Sequence, residues 1–369
     1  MSLENKLFSE LSESEKSDLS QAKAEMSAKY LSRQVRVHGV ARALRATTKT
    51  AAIHNVVGIG IDEKYVDGIP TGVSAIKFLV RSKIQPAALS RSEKLPSTIN
   101  GIPTDVEEVG LIVPFSAPAR AKPSAAPSAA MPNPKTRLRP AQPGGSIGFR
   151  EPDDEFIMAG TFGALVKDSQ GNVFILSNNH VLAFESGFEA DGVTKRVGLA
   201  PGSPIFQPGL LDGGKVSTDK IAELTRWVDL RADRTDNLVD GAIAKVTKTN
   251  SVSREILFIG APTGTKTAVK DMTVHKFGRT TSYRAGRVSS VFFDVTVPYE
   301  VGEVTFNDQI AIRGLNGKRF SDAGDSGSAI LERSTNKVVG LLFAGATNGS
   351  LTFANHIQDV LTQLKVQLV

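Results

Sequence analysis

Apolar positions recur with a helical period at the start of the chain and with a strand period over most of its remaining length. Within residues 4–49, Leu19, Ala22, Met26 and Tyr30 recur at helical spacing with charged residues between them, so this stretch reads as a helix. Its far end is basic, carrying Arg33, Arg36, Arg42, Arg45 and Lys49. The runs NVVGIGID and SAIKFLVR, rich in Val, Ile and Phe, read as strands. The segment DEKYVDGIPTG between them has the Asp, Gly and Pro of a loop, and IPTDVEEVGLIV reads as one more strand. These features suggest an N-terminal helical segment at 1–50 and a small α/β domain at 51–113. Residues 114–145 lose all periodicity and are packed with Pro, Ala and Ser, the signature of a linker that buries too little apolar area to order itself.

From 146 to 369 the pattern changes again. Short apolar runs (GTFGALV, NVFILS, VDGAIAKV, GRVSSVFFDVTV, KVVGLLFAG) are separated by Gly, Asn and Asp. This predicts a mainly β region of antiparallel sandwiches or barrels rather than βαβ units. The closing IQDVLTQLKVQLV places Ile357, Val360, Leu361 and Leu364 on one face of a short amphipathic helix.

Composition narrows the function classes. The 369-residue chain has no cysteine, which removes disulfides, thiolate metal ligands and a cysteine nucleophile. No stretch approaches the ~18 apolar residues of a membrane span, and the acidic, polar start does not read as a secretory signal. A cytoplasmic location is therefore expected. The net charge of +6 reads as a solvated basic surface; no zinc-finger or RNA-binding signature accompanies it, so nucleic acid is not an expected partner. Gly58 and Gly60 lack the third glycine and the subsequent helix of a dinucleotide loop. His38, His54, His275 and His356 have no clustered ligand types around them, and no HExxH occurs, so neither metal nor cofactor is expected.

Three short segments carry chemistry: ILSNNHVLA with His180, LVDGAIAKV with Asp240, and AGDSGSAIL with Ser326. A serine hydroxyl is a weak nucleophile at neutral pH and needs a base within hydrogen-bond reach; imidazole, titrating near ~6.5, suits that task. The imidazole in turn needs a carboxylate to fix its tautomer and stabilise its cation. His180 comes after an apolar strand, and Asp240 precedes the run AIAKV. Asp229 and Asp236 compete for the acid role; spacing alone does not choose, and Asp240 is preferred because it starts the more apolar strand. The glycines of Gly324-Asp325-Ser326-Gly327 permit a tight turn. Such a turn can aim the N–H groups of Gly324 and Ser326 at one point, an oxyanion hole.

These motifs resemble those of the trypsin/chymotrypsin-like serine proteases. Gly324-Asp325-Ser326-Gly327-Ser328 is similar to their nucleophile motif. Ser177-Asn178-Asn179-His180-Val181 is similar to their histidine motif, with Asn-Asn where trypsin-type enzymes have Ala-Ala. The order His, Asp, Ser is that of chymotrypsin. Gly340–Gly345 resembles the strand lining the substrate cleft, and Phe353-Ala354-Asn355 the strand closing the specificity pocket. The upstream segments, FQPGLLDGG and KFGRTTSYRAGRV, are closer to a cysteine-free, mainly bacterial subgroup, whose layout plant narrow-leaf type proteins share.

The resemblance implies a chymotrypsin-like double six-stranded antiparallel β-barrel over 146–369. It further implies a serine endopeptidase acting on protein or peptide through an acyl-enzyme, and a homo-oligomer. Self-cleavage within 114–145 is a further expectation. Two features depart from the family: Asp325 has no freed N-terminus to pair with, and the pocket-base position falls near Phe320, with no carboxylate to favour Lys or Arg. A silent or latent protease-fold scaffold, with a nucleic-acid-binding basic N-terminal helix, is the alternative.

Overall fold

The computed structural model describes residues 6–31, 55–91, 93–114, 131–151 and 157–369. The first helix spans Glu13–Tyr30 and begins at a reciprocal cap. The Ser12 side chain accepts from the Glu15 N–H at 3.3 Å, and the Glu15 carboxylate accepts from the Ser12 N–H at 2.7 Å. Of the stretch 4–49 expected to be helical, Glu13–Tyr30 forms this helix, preceded by a 3-10 turn at Phe8–Glu10. The basic residues from Arg33 to Lys49, with His38 and His54, lie outside the described residues. Leu19 and Ala22 bury against Ile59, Ile61, Ile76 and Phe78.

Those last residues belong to a hairpin of Val56–Val66 and Ile69–Val80. The loop expected across DEKYVDGIPTG shrinks to Asp67-Gly68, both with positive φ (50° and 78°). A two-residue Asp-Gly turn matches the twist of its strands, so Val66 and Ile69 pair directly. Ile102–Glu108 adds parallel to the second strand. The single strand expected across IPTDVEEVGLIV breaks at Gly110 (φ 74°), and Ile112–Pro114 pairs instead with Val338–Ala346. Gly58 and Gly60 serve close packing: a Cβ at Gly60 would lie 2.3 Å from the Phe293 ring.

Residues 146–369 form two antiparallel systems and a small three-stranded sheet of Gly187–Phe188, Lys195–Arg196 and Leu230–Arg231. The first is an eight-stranded sheet in the order Gln367–Leu368, Ala164–Lys167, Val173–Ser177, Ala242–Val246, Lys220–Trp227, Pro204–Phe206, Ser146–Arg150 and Ile157–Thr161. The second closes into a six-stranded ring: Thr273–Gly278, Ala329–Glu332, Val338–Ala346, Thr352–His356, Gly302–Gly314 and Ser282–Tyr299, which pairs back to the first. The molecule is mainly β, with a closed ring of strands and a helix ahead of the β region, as the sequence leads one to expect. The upstream hairpin is continuous with this ring, since Val56–Val66 pairs with Ser282–Tyr299 in the register Gly58↔Val295.

Of the Pro/Ala-rich stretch, 115–130 lie outside the described residues, while 131–145 are anchored to the first sheet. The Leu138 N–H donates to Gln207 Oε1 at 2.9 Å, and buried Ala141 donates to the Ser251 carbonyl at 2.7 Å. The two systems meet over a core in which Leu176 and Ile243 pack with Leu331, Leu341 and, from the helix Ile357–Leu364, Ile357, Val360 and Leu364. His356 is the N-cap of that helix, without a side-chain capping bond.

Candidate active site

The three segments singled out in the sequence converge where the two β systems meet. Val173–Ser177 ends at the one-turn helix Asn179–Leu182 that carries His180. Asp240 precedes Ala242–Val246, whose pairing Ala242↔Ser177 sets it beside the histidine turn. Ser326 lies in the tight turn before Ala329–Glu332, with positive φ at Gly324 (99°) and Gly327 (88°). Gly160 separates the serine turn from the histidine turn: a Cβ there would sit 2.6 Å from Val181 Cγ2 and 3.1 Å from the Ser326 carbonyl oxygen. Only glycine lets the Ser326 turn approach the histidine turn this closely.

His180 Nδ1 is hydrogen-bonded to Asp240 Oδ2, and the His180 N–H donates to Asp240 Oδ1 at 3.2 Å. The Tyr299 hydroxyl also donates to Oδ2, at 2.8 Å. Asp240 is held by its backbone as well: its N–H donates to Asn355 Oδ1 at 3.0 Å, and its carbonyl accepts from Asn178 Nδ2 at 2.7 Å. The Asn-Asn pair before His180 is therefore a brace. Asn179 Nδ2 donates to the Ser186 and Val228 carbonyls, each at 2.7 Å, while its Oδ1 accepts from the Ser186 N–H. Asp229, the competing acid, accepts from Trp227 Nε1 at 2.8 Å and faces Lys195; Asp236 pairs with Arg234.

Ser326 is not bonded to His180. Its Oγ donates to the Phe343 carbonyl at 3.1 Å, while the buried His180 Nε2 has no hydrogen-bond partner among the described residues. Ser326, His180 and Asp240 are all fully buried. The N–H groups of Gly324 and Ser326 likewise donate to no acceptor among the described residues.

Asp325 is fixed by the strand and turn of the KFGRTTS motif. Its Oδ2 lies 2.9 Å from Lys276 Nζ and accepts from Thr281 Oγ1 (2.6 Å) and the Asp322 N–H (3.0 Å). Its Oδ1 accepts from the Thr280 and Thr281 N–H groups, at 2.9 and 3.1 Å. Burial alone would push the Asp325 carboxyl up, but the Lys276 ammonium and these hydrogen bonds hold it below the usual carboxylate range. An internal lysine thus supplies the positive partner that the sequence left unassigned. Arg279 of the same motif makes a bidentate pair with Asp212 (2.6 and 2.8 Å), joining the GLLDGG turn to the turn that holds Asp325 and Ser326.

Phe320 is buried among Val288, Ile312 and Leu342, in the core of the six-stranded ring. Asp322 is half exposed and faces Arg319. Three residues of the site were not singled out in the sequence, Tyr299, Lys276 and Glu185, and Asn355 was noted there only as part of the pocket-closing strand. Glu185 has positive φ (58°) and a buried carboxylate that accepts from the Glu300 N–H; burial, above all, pushes its carboxyl up to about 7. A cavity of about 1100 Å³ lies elsewhere, between the first helix and the strands around Asp294. Among the described residues, no group of three or more His, Asp or Glu could hold a metal, and no helix is long and apolar enough to cross a membrane.

Solved serine proteases resemble the chain at low identity. Thermobifida fusca Protease A has a TM-score of 0.41 at 18% identity, covering 62% of this chain and 97% of that one. A glutamic acid specific serine protease scores 0.41 at 16%, covering 62% and 100%. Cellulomonas bogoriensis chymotrypsin scores 0.35 at 14%, covering 57% and 90%. At these identities the likeness concerns the fold alone. No family model matches the chain, and no curated sequence does.

Proposed function

We propose that this chain is a serine endopeptidase, with Ser326 as nucleophile, His180 as general base and Asp240 as the carboxylate that orients it. One observation carries the reading. His180 has one ring nitrogen tied to a buried carboxylate, and the other is left without a partner beside the nucleophile turn. A buried polar atom without a partner is costly, and functional sites are where such atoms persist.

In the reaction, the Ser326 hydroxyl turns from the Phe343 carbonyl toward His180 Nε2. The Ser326 proton passes to that nitrogen as Oγ bonds to the substrate carbonyl carbon. The N–H groups of Gly324 and Ser326 receive the tetrahedral oxyanion. Collapse breaks the C–N bond, His180 returns the proton to the leaving amine, and water then hydrolyses the acyl-enzyme by the same route. No cofactor takes part in this scheme.

A second reading, a latent protease-fold protein, is favoured by the full burial of Ser326 and by its hydrogen bond to Phe343 rather than His180. A fluorophosphonate probe separates the two. The endopeptidase reading expects an adduct mapped to Ser326, absent in His180→Ala; a native protein that takes up no probe supports latency.

A further inference from the structure

We propose that Tyr299 is a positioning residue that fixes the Asp240 carboxylate and, through it, the His180 imidazole; this rests on the serine-hydrolase reading. Tyr299 ends the long strand Ser282–Tyr299 of the six-stranded ring, whereas His180 and Asp240 flank strands of the other sheet. Its phenol crosses between the two systems to reach Asp240 Oδ2 at 2.8 Å.

The remaining hydrogen bonds to that carboxylate come from the N–H and the Nδ1 of His180. Among the described residues, Tyr299 is therefore the sole donor to the carboxylate that does not belong to the residue being oriented. A carboxylate bonded only to its own histidine can turn with it, even where its backbone is held; a third donor from a separate element fixes the plane of the pair. Tyr299 is itself held rigidly. Its backbone pairs with Gly302, its ring packs 6.1 Å from that of Phe306, and no part of it reaches solvent. Its ring also lies 6.1 Å from the His180 imidazole.

The phenol keeps its proton. Burial and then the Asp240 charge push it well above the ordinary value, so across the working range it keeps a proton to donate to Asp240. The other titratable groups around the pair are Glu185, with a carboxyl raised to about 7, and Glu300 and Arg196 beside it. Tyr299→Phe preserves the ring packing and removes one donor, leaving these neighbours in place.

The test compares wild type, Tyr299→Phe and a protein with 3-fluorotyrosine at 299. It uses the proton NMR resonance of His180 Nδ1–H and the pH dependence of fluorophosphonate labelling. In the Phe variant the Nδ1–H resonance should move and broaden, and labelling should slow roughly ten- to a hundredfold, as misplacement of a catalytic group does. The labelling profile should move to higher pH, because a carboxylate that has lost a donor holds the imidazolium more strongly. Fluorotyrosine, a stronger donor of nearly the same shape, should move the resonance the opposite way, and it answers the question even if the Phe variant fails to fold. Superimposable resonances and pH profiles across the three proteins would overturn the proposal. If wild type takes up no probe, the hydrolase reading fails, but the resonance still decides whether Tyr299 sets the Asp240–His180 pair.

Discussion

Beside the imidazole sits a second buried acid, and it makes stability depend on pH. Glu185 has its carboxyl raised to about 7 from an ordinary 4.5, first by burial. The folded protein therefore holds this proton more tightly than the unfolded chain. The contribution is complete below ~4.5 and is lost as pH rises through about 7, amounting to roughly 3 kcal/mol at most. Glu185→Gln should track wild type in thermal melts at pH 4.5 and be the more stable of the two at pH 8. A constant gap between them at both pH values would show that the carboxyl does not titrate on folding. At this scale the sequence shows His180, Asp240 and Ser326, because their neighbours form short recognisable runs. It hides Tyr299 and Lys276. Nothing in KFGRTTS sets Lys276 apart from any other lysine; only the fold reveals a fully buried ammonium with Asp325 opposite.

The nucleophile turn depends on the strand and turn that hold Asp325. Removing one partner of a buried ion pair leaves the other charge uncompensated, at about 3–5 kcal/mol. Lys276→Met should lower stability in urea by about that amount and slow labelling of Ser326. Lys276→Met with Asp325→Leu should recover much of the stability but not the labelling, since the Thr280, Thr281 and Asp322 anchors lose their acceptor. A double variant no more stable than the single would place the cost elsewhere. The turn also forbids a side chain at Gly327, where φ is positive and a Cβ would lie 2.0 Å from Ser177 Oγ and 2.4 Å from the Thr161 carbonyl. Gly327→Ala should fold poorly or fold without reactivity. Elements with clear periodicity, such as the closing helix and the strands around His180, are legible in advance. The Asp67-Gly68 turn is missed because its polar flanking residues resemble a loop. Residues 131–145 read as linker because their order comes from individual hydrogen bonds, such as Leu138 N–H to Gln207 Oε1 and Ala141 N–H to the Ser251 carbonyl, rather than from an apolar period.

Across the whole molecule, the upstream hairpin and helix are joined to the six-stranded ring by more than proximity. Strand pairing through Gly58↔Val295 is reinforced by charges that composition does not reveal. Lys23 bonds Asp294 at 2.7 Å. Fully buried Lys77 lies between Asp105 and Glu107 (3.2 and 3.4 Å), and Arg313 of the ring binds Glu107 at 2.7 Å. Short runs and turn residues predict a mainly β chain; they do not show which edge the upstream strands adopt, since Val56–Ile61 is apolar on both faces. Leu19→Ala should cost about 2–5 kcal/mol locally and raise hydrogen exchange in the helix Glu13–Tyr30 before it does so in the ring. Equal protection of that helix in both proteins would mean that Leu19 does not dock it.

The central claim is that Ser326, served by His180 and Asp240, cleaves peptide bonds. The most direct measurement is mass spectrometry of a peptide library incubated with wild type and with Ser326→Ala. Wild type should yield new peptide termini sharing a residue preference, with the variant slower by several orders of magnitude. Identical product patterns from the two proteins, or no products from a wild type that does react with fluorophosphonate at Ser326, would contradict it.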